Sequence, residues 1–195
     1  MSIFEGFFQE IDALWTISSV RQPLHVLGAS ALMMQVAYER PTNDSDILES
    51  HAIAEDVRDA LLALAGRGTP LHKRRRMYIE FVPNGLPFLR QQPCWRRNEA
   101  ISSTLKNFEI NVLDVVDVVV SKLARFNAND VSDIEAMIEL GHVDHRALLS
   151  TFRAAMDFTV GQEDRFPRYI TNLNTVERDM LGVGETLIEL PSWAG

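Results

Sequence analysis

A chain of 195 residues, 46% hydrophobic and 24% charged, can bury a sizeable core and is too apolar for a disordered segment. Its formal net charge of -8 excludes a surface that binds nucleic acid everywhere, because backbone binding is driven by Lys and Arg neutralising phosphates. No apolar run approaches the roughly 20 residues that cross a bilayer, and the single cysteine, Cys94, excludes an internal disulfide and a cysteine-cluster metal site and suits a reducing cytoplasm.

Residues 3–18 place Phe4, Phe7, Phe8, Ile11 and Leu14 at helical spacing, which predicts an amphipathic helix. Glu5, Glu10 and Asp12 interrupt its apolar run and no basic head precedes it, so it does not read as a signal peptide. Pro23 ends that helix; residues 24–27 predict a strand, Gly28 to Ser30 a turn, and residues 31–38 a second helix. After a turn at 40–43, residues 44–48 alternate acidic with other side chains, the period-2 pattern of a strand with one functional face. Residues 52–65 carry Val57, Leu61, Leu62 and Leu64 along one side and predict a helix closed by Gly66 and Gly68.

The run Lys73, Arg74, Arg75, Arg76, with Arg90, Arg96 and Arg97 after it, makes the middle of an acidic chain basic. It reads either as a solvated charged loop and strand edge or as a local anion-binding patch. Residues 76–82 predict a strand, 87–98 irregular chain, and 108–113 a further strand. Helices are predicted at 114–125 with Asp114 as N-cap, at 130–140 ending on Gly141, at 144–158, and at 169–181. The order describes an α+β fold: a small sheet unit with an N-terminal helix over residues 1–113, and a helical C-terminal region over 114–195.

Asp44 and Asp46 are separated by one residue, so on a strand both carboxylates face the same way with α-carbons about 7 Å apart. Magnesium is commonly held by one or two such carboxylates together with substrate phosphates. Just upstream, Gly28, Ala29 and Ser30 stand where a strand turns into a helix, a place whose free N–H groups and positive helix end grip phosphate. Together the two segments describe a site for a nucleoside triphosphate and a divalent ion. The histidines, His25, His51, His72, His142 and His145, share no metal-ligand spacing and read as structural or exposed.

The phrases VLGASAL and RPTNDSDIL resemble the signature of the polymerase-beta-type nucleotidyltransferases, and in particular the bacterial AbiEii-type toxin branch. That resemblance implies a nucleotidyltransferase-like small mixed sheet flanked by helices, with a helical C-terminal half. It implies that Gly28, Ala29 and Ser30 contact the triphosphate, that Asp44 and Asp46 bind Mg2+ or Mn2+, and that Glu80 in MYIEF is a third acidic ligand. The stretch VVVSKLARFNANDVSDIEAM is similar to the branch's lysine-containing helix, which implies that Lys122 meets phosphate and that Asp130 or Asp133 supplies a further catalytic carboxylate. Each also has a plainer reading: Glu80 as an exposed strand residue, Lys122 as a snorkelling surface lysine, Asp130 as a helix cap, Asp133 as a solvated first turn.

The chain departs from the pattern at three places. Ala29 replaces the usual second glycine, Ser45 replaces an apolar residue between the aspartates, and Asn129 stands where the branch has a basic residue. The resemblance implies transfer of a nucleoside monophosphate from a triphosphate to a hydroxyl on RNA, possible tRNA included, or on protein, in a toxin–antitoxin or phage-defence setting with a cognate antitoxin. The departures keep open a degenerate nucleotide-binding or protein-interaction module with the same fold.

Overall fold

The computed structural model describes residues 3–17, 20–49 and 53–193, which form two compact units, Met1–Asn84 with Trp95–Leu113 and Gly85–Cys94 with Asp114–Gly195. His51, and Ala52 where the sequence starts a helix, lie outside the described residues.

In the first unit, strands β1 (Gln22–Leu27), β2 (Asp44–Leu48), β3 (Tyr78–Val82), β4 (Trp95–Arg97) and β5 (Phe108–Leu113) make a mixed sheet in the order β3-β2-β1-β5-β4. β1 runs antiparallel to β2 and parallel to β5, while β2 and β3 run parallel. Alternation sorts the side chains: Leu24, Val26, Ser45, Ile47, Ile79, Phe108, Ile110 and Val112 are buried, and Asp44, Asp46 and Glu80 come out on the other face. The helices of this unit are α1 (Ile3–Leu14), α2 (Gly28–Met33), α3 (Glu55–Ala65), α4 (Pro70–Arg75) and α5 (Glu99–Ser102). Phe4, Phe7, Phe8 and Ile11 of the predicted stripe of α1 are buried, about 1.5–3 kcal/mol for each side chain, while Leu14 of the same stripe is exposed. Asp12 then ties the end of α1 to the sheet by accepting from the Lys106 and Asn107 N–H groups.

Several elements differ from the sequence reading, the unpredicted α5 among them. Residues 70–75 form α4 although they carry no apolar period, because Thr69 caps them by accepting from the His72 N–H and Pro70 sets the first turn. Residues 95–97, read as irregular, become β4 by pairing with β5, a long-range partner that no local pattern reveals. α2 starts on Gly28 itself and stops at Met33, so the glycine is the first residue of the helix.

In the second unit, α6 (Val115–Leu123), α7 (Ala128–Glu139), α8 (His145–Phe158) and α9 (Phe166–Thr175) pack around Val118, Ile134, Met137, Leu148, Phe152, Phe166 and Leu173. Asp114 caps α6, as its position predicts, by accepting from the Val116 N–H. Gly85–Cys94 belongs here because Phe88 stacks against Phe152 and Tyr169, and Arg90 grips the fully buried Asp117 through two hydrogen bonds of 2.8 and 2.7 Å. One π turn, Val176–Met180, follows α9 and buries Glu177, which accepts from the Thr186 N–H and meets His145 Nε2 at 2.7 Å. No helix among the described residues is long and apolar enough to cross a membrane.

Candidate metal centre

β2 places Asp44 and Asp46 on one face because they are two residues apart, and the parallel register sets Glu80 of β3 directly opposite Asp46. One oxygen from each of the three carboxylates lies within 4.8 Å of the others. Oxygens sharing a magnesium at about 2.1 Å are at most about 4.2 Å apart, so a small side-chain rotation closes the trio on an ion. Asp44 and Asp46 are half-buried and Glu80 is exposed, so the group opens to solvent on one side.

Two hydroxyls hold Asp44 in place. Thr42 Oγ1 donates to Asp44 Oδ1 at 2.7 Å, and Ser30 Oγ donates to the Asp44 carbonyl oxygen at 2.7 Å. Ser30 thereby fastens the start of α2 to the start of β2, and its hydroxyl is engaged within the protein. Gly28 approaches closer still. Its φ of +68°, in the left-handed region, is open to glycine at little cost, and a β-carbon built there would stand 2.7 Å from Asp46 Oδ2. The phosphate-type turn and the acidic trio are therefore in contact. Ala29 is 7% exposed, so the methyl that replaces the usual glycine adds no bulk to the open turn.

Ser45, between the two aspartates, points to the opposite face and is fully buried, and its hydroxyl has no hydrogen-bond partner. An unpaired buried hydroxyl costs about 1–3 kcal/mol. Ser45→Ala removes that cost and leaves only a small void. Urea denaturation is expected to show the variant more stable than wild type by about 1 kcal/mol, with nucleotide affinity unchanged; a loss of stability of that size would show that the hydroxyl has a partner.

The sequence reading passed over a cation beside the trio. Arg67, in the turn between α3 and α4, donates to the Tyr78 hydroxyl, and its guanidinium carbon lies 4.8 Å from the Tyr78 ring centroid. Tyr78 is the register partner of Asp44 and shares a face with Glu80. The Tyr78 contact first, and the charges of Glu80 and Asp44 after it, hold the guanidinium above its usual range. No spacing rule marks an arginine between two glycines, so the tertiary contact alone reveals it.

Lys122, Asp130 and Asp133 form a separate group within the second unit. Lys122 Nζ lies 3.0 Å from Asp130 Oδ1 and 2.7 Å from Asp133 Oδ2, with the lysine 5% and both aspartates 0% exposed. Asp130 also accepts from Arg125 Nε and Nη2 and closes a capping box with Asn127 at the start of α7. Burial pushes the Asp130 carboxyl up, but the Arg125 hydrogen bonds and the Lys122 charge outweigh it and hold it below the usual 3.8. A depressed folded-state value means that this group stabilises the fold above about pH 4 and ceases to do so as pH falls through the lower value. Asp130→Asn is expected to cost about 3 kcal/mol at neutral pH by leaving Lys122 and Arg125 short of a partner. The gap between the two urea midpoints should close as pH drops below 4; a gap independent of pH would contradict the assignment.

His72 and His25 serve local structure: Gly68 N–H donates to His72 Nδ1 at 2.9 Å, His72 also stacks edge-on to Tyr78, and His25 stacks edge-on to Trp95. Compared with known proteins, the chain matches the model of a family described as "Nucleotidyltransferase of unknown function (DUF6036)" over residues 3–180. No curated protein and no solved structure matches it.

Proposed function

The chain belongs to this family of nucleotidyltransferases, and from that premise we propose that it transfers a nucleoside monophosphate from a triphosphate to an acceptor hydroxyl, on RNA in preference to protein, at Asp44, Asp46 and Glu80. The observation that carries the reading is the trio of carboxylates on one face, with Gly28 packed directly against Asp46. Three negative groups at this distance repel one another, and the chemistry that compensates them is a hard divalent cation such as Mg2+ or Mn2+. Held by Asp44, Asp46 and Glu80, such a cation would neutralise charge on the transferring phosphoryl group.

The residues do the rest. The first N–H groups of α2, which no side chain caps, would take phosphate oxygens and so orient the triphosphate along the turn. The acceptor oxygen attacks the α-phosphorus; the new O–P bond forms as the bond to the β-phosphate oxygen breaks, and pyrophosphate leaves with the electron pair. Glu80, the most exposed of the three, is placed to take the acceptor's proton. In the second unit, Lys122 is taken up by its two carboxylate partners, Asp130 and Asp133.

Two of the three departures from the familiar pattern, Ala29 and Ser45, fall away from the open carboxylate face. Ala29 is buried, and Ser45 faces the opposite side of the sheet, which supports a working site over a degenerate one. The likeness of VLGASAL and RPTNDSDIL to the AbiEii-type branch supports a toxin–antitoxin or phage-defence setting, with a cognate antitoxin as partner. The test is direct: incubate the protein with each nucleoside triphosphate labelled at its α-phosphate, with magnesium and with total RNA. Magnesium-dependent label on RNA is expected. No label on any acceptor with any of the nucleotides would remove the enzyme reading.

A further inference from the structure

The acidic trio has two flanks. On the β1 side stands the Gly28 turn, in contact with Asp46. On the β3 side stands Arg67, held on Tyr78, with β2 and its two aspartates between them in the sheet order β3-β2-β1. The Arg67 turn is built to keep one shape. Gly66 N–H donates to the Leu62 carbonyl, Gly68 at φ +88° donates to His72 Nδ1, and Thr69 Oγ1 donates to the Gly66 carbonyl. His72 packs edge-on to Tyr78, whose ring is only 5% exposed and so cannot swing. An exposed guanidinium is thus fixed beside Asp44 and Glu80 by a buried ring.

We infer that Arg67 holds the acceptor, by a phosphate next to the reacting hydroxyl. The inference rests on the proposed transfer reaction and adds to it the side from which the acceptor comes. In phosphoryl transfer the attacking and leaving oxygens lie roughly in line across phosphorus. A triphosphate gripped by the Gly28 turn sends its pyrophosphate out on the β1 side, so the acceptor oxygen enters from the β3 side, where Arg67 stands. A guanidinium carries five N–H donors in a planar fork; one goes to Tyr78, and the exposed remainder suits a phosphodiester oxygen pair.

The chain leading away from Arg67 continues the pattern. α4 follows at once and exposes Lys73, Arg74 and Arg75, with Arg76 just after it. A single carboxylate, Glu10, answers Arg74 and Arg75 at 2.5 Å each, so the strip keeps a strong positive excess in a chain whose net charge is -8. A strand held at Arg67 would run over that strip, and a protein hydroxyl would gain nothing from it. Arg67 is accordingly a positioning residue that selects a phosphate-bearing acceptor.

The test separates acceptor from nucleotide. Fluorescence anisotropy measures binding of a labelled single-stranded oligoribonucleotide with a free 3′ hydroxyl, and a fluorescent non-hydrolysable triphosphate analogue with magnesium is titrated separately. Arg67→Gln should weaken RNA binding roughly tenfold and lower the slope of log affinity against log salt by about 1, with analogue affinity unchanged. Arg67→Lys should restore the slope but only part of the affinity, since a point charge does not keep the Tyr78 contact. Arg146→Gln, which removes an exposed cation from α8, should change neither. Wild-type RNA affinity in Arg67→Gln, or a loss of analogue affinity instead, would overturn the inference and leave the transfer reading standing. Absence of RNA binding by wild type would also overturn it, in favour of a protein acceptor, whereas absence of analogue binding by wild type would count against the transfer reading itself.

Discussion

Replacing Asp46 by asparagine is expected to reduce nucleotide transfer to on the order of one thousandth of the wild-type rate and to remove the stability that magnesium adds. The two effects have one cause. Asp46 is the centre of the trio: it follows Asp44 on β2, faces Glu80 across the β2–β3 register, and touches Gly28. Without a cation, carboxylate oxygens within 4.8 Å of one another repel by about 1 kcal/mol for each pair even where water screens them. Asparagine has the shape of aspartate without the charge. With a cation, the same charge is a ligand, and its removal takes away several kcal/mol of charge stabilisation at the transferring phosphate. Thermal melting at rising magnesium reads the second effect. Wild type should gain about 2.7 kcal/mol at one hundred times the dissociation constant, and Asp46→Asn should show almost no gain. A variant that keeps the magnesium shift, or that transfers label within about tenfold of wild type, would displace Asp46 from the centre of the site.

How far such a site can be read from sequence depends on how local its causes are. The face shared by Asp44 and Asp46 follows from a two-residue period, and β5, α6 with its Asp114 cap, and α8 with its Asp144 cap follow from spacing within a few turns. The register that sets Glu80 opposite Asp46 is a property of two strands 34 positions apart, legible only as a plausible third acid on a later strand. Asp130 and Asp133 show the reverse case. The sequence reads Asp130 as the cap of a helix beginning there and Asp133 as solvated, while in the structure Asn127 is the N-cap, Asp130 answers it from the third position of α7, and Asp133 is buried against Lys122. Residues 85–94 carry no period at all, and their place is decided by Phe88 between Phe152 and Tyr169 and by Arg90 on Asp117. Arg67 was the least legible, because its meaning comes from a tyrosine eleven positions on, which itself counts only through its pairing with Asp44.

Gly28→Ala is expected to inactivate the enzyme by a route that a second glycine can isolate. Alanine at Gly28 meets two separate obstacles. The first is backbone: φ of +68° costs an L-residue about 1–2 kcal/mol. The second is steric: the new methyl would stand 2.7 Å from Asp46 Oδ2, so the carboxylate must turn away. Only the second reaches the chemistry, because the group displaced is the proposed metal ligand, and misplacement by about 1 Å costs about a hundredfold in rate. Gly141→Ala has the first obstacle without the second: φ is +75° after α7, and nothing lies within 4 Å of the added β-carbon. Both variants should lose about 1–2 kcal/mol of stability in urea, but only Gly28→Ala should lose transfer and the magnesium-dependent gain in melting temperature. Equal activity in the two would mean that Asp46 has room to move and that the contact between turn and carboxylate is not what aligns the reaction. Loss confined to Gly28→Ala would locate the alignment in a single van der Waals contact, the one through which the Gly28 turn and the proposed metal ligand Asp46 share a position.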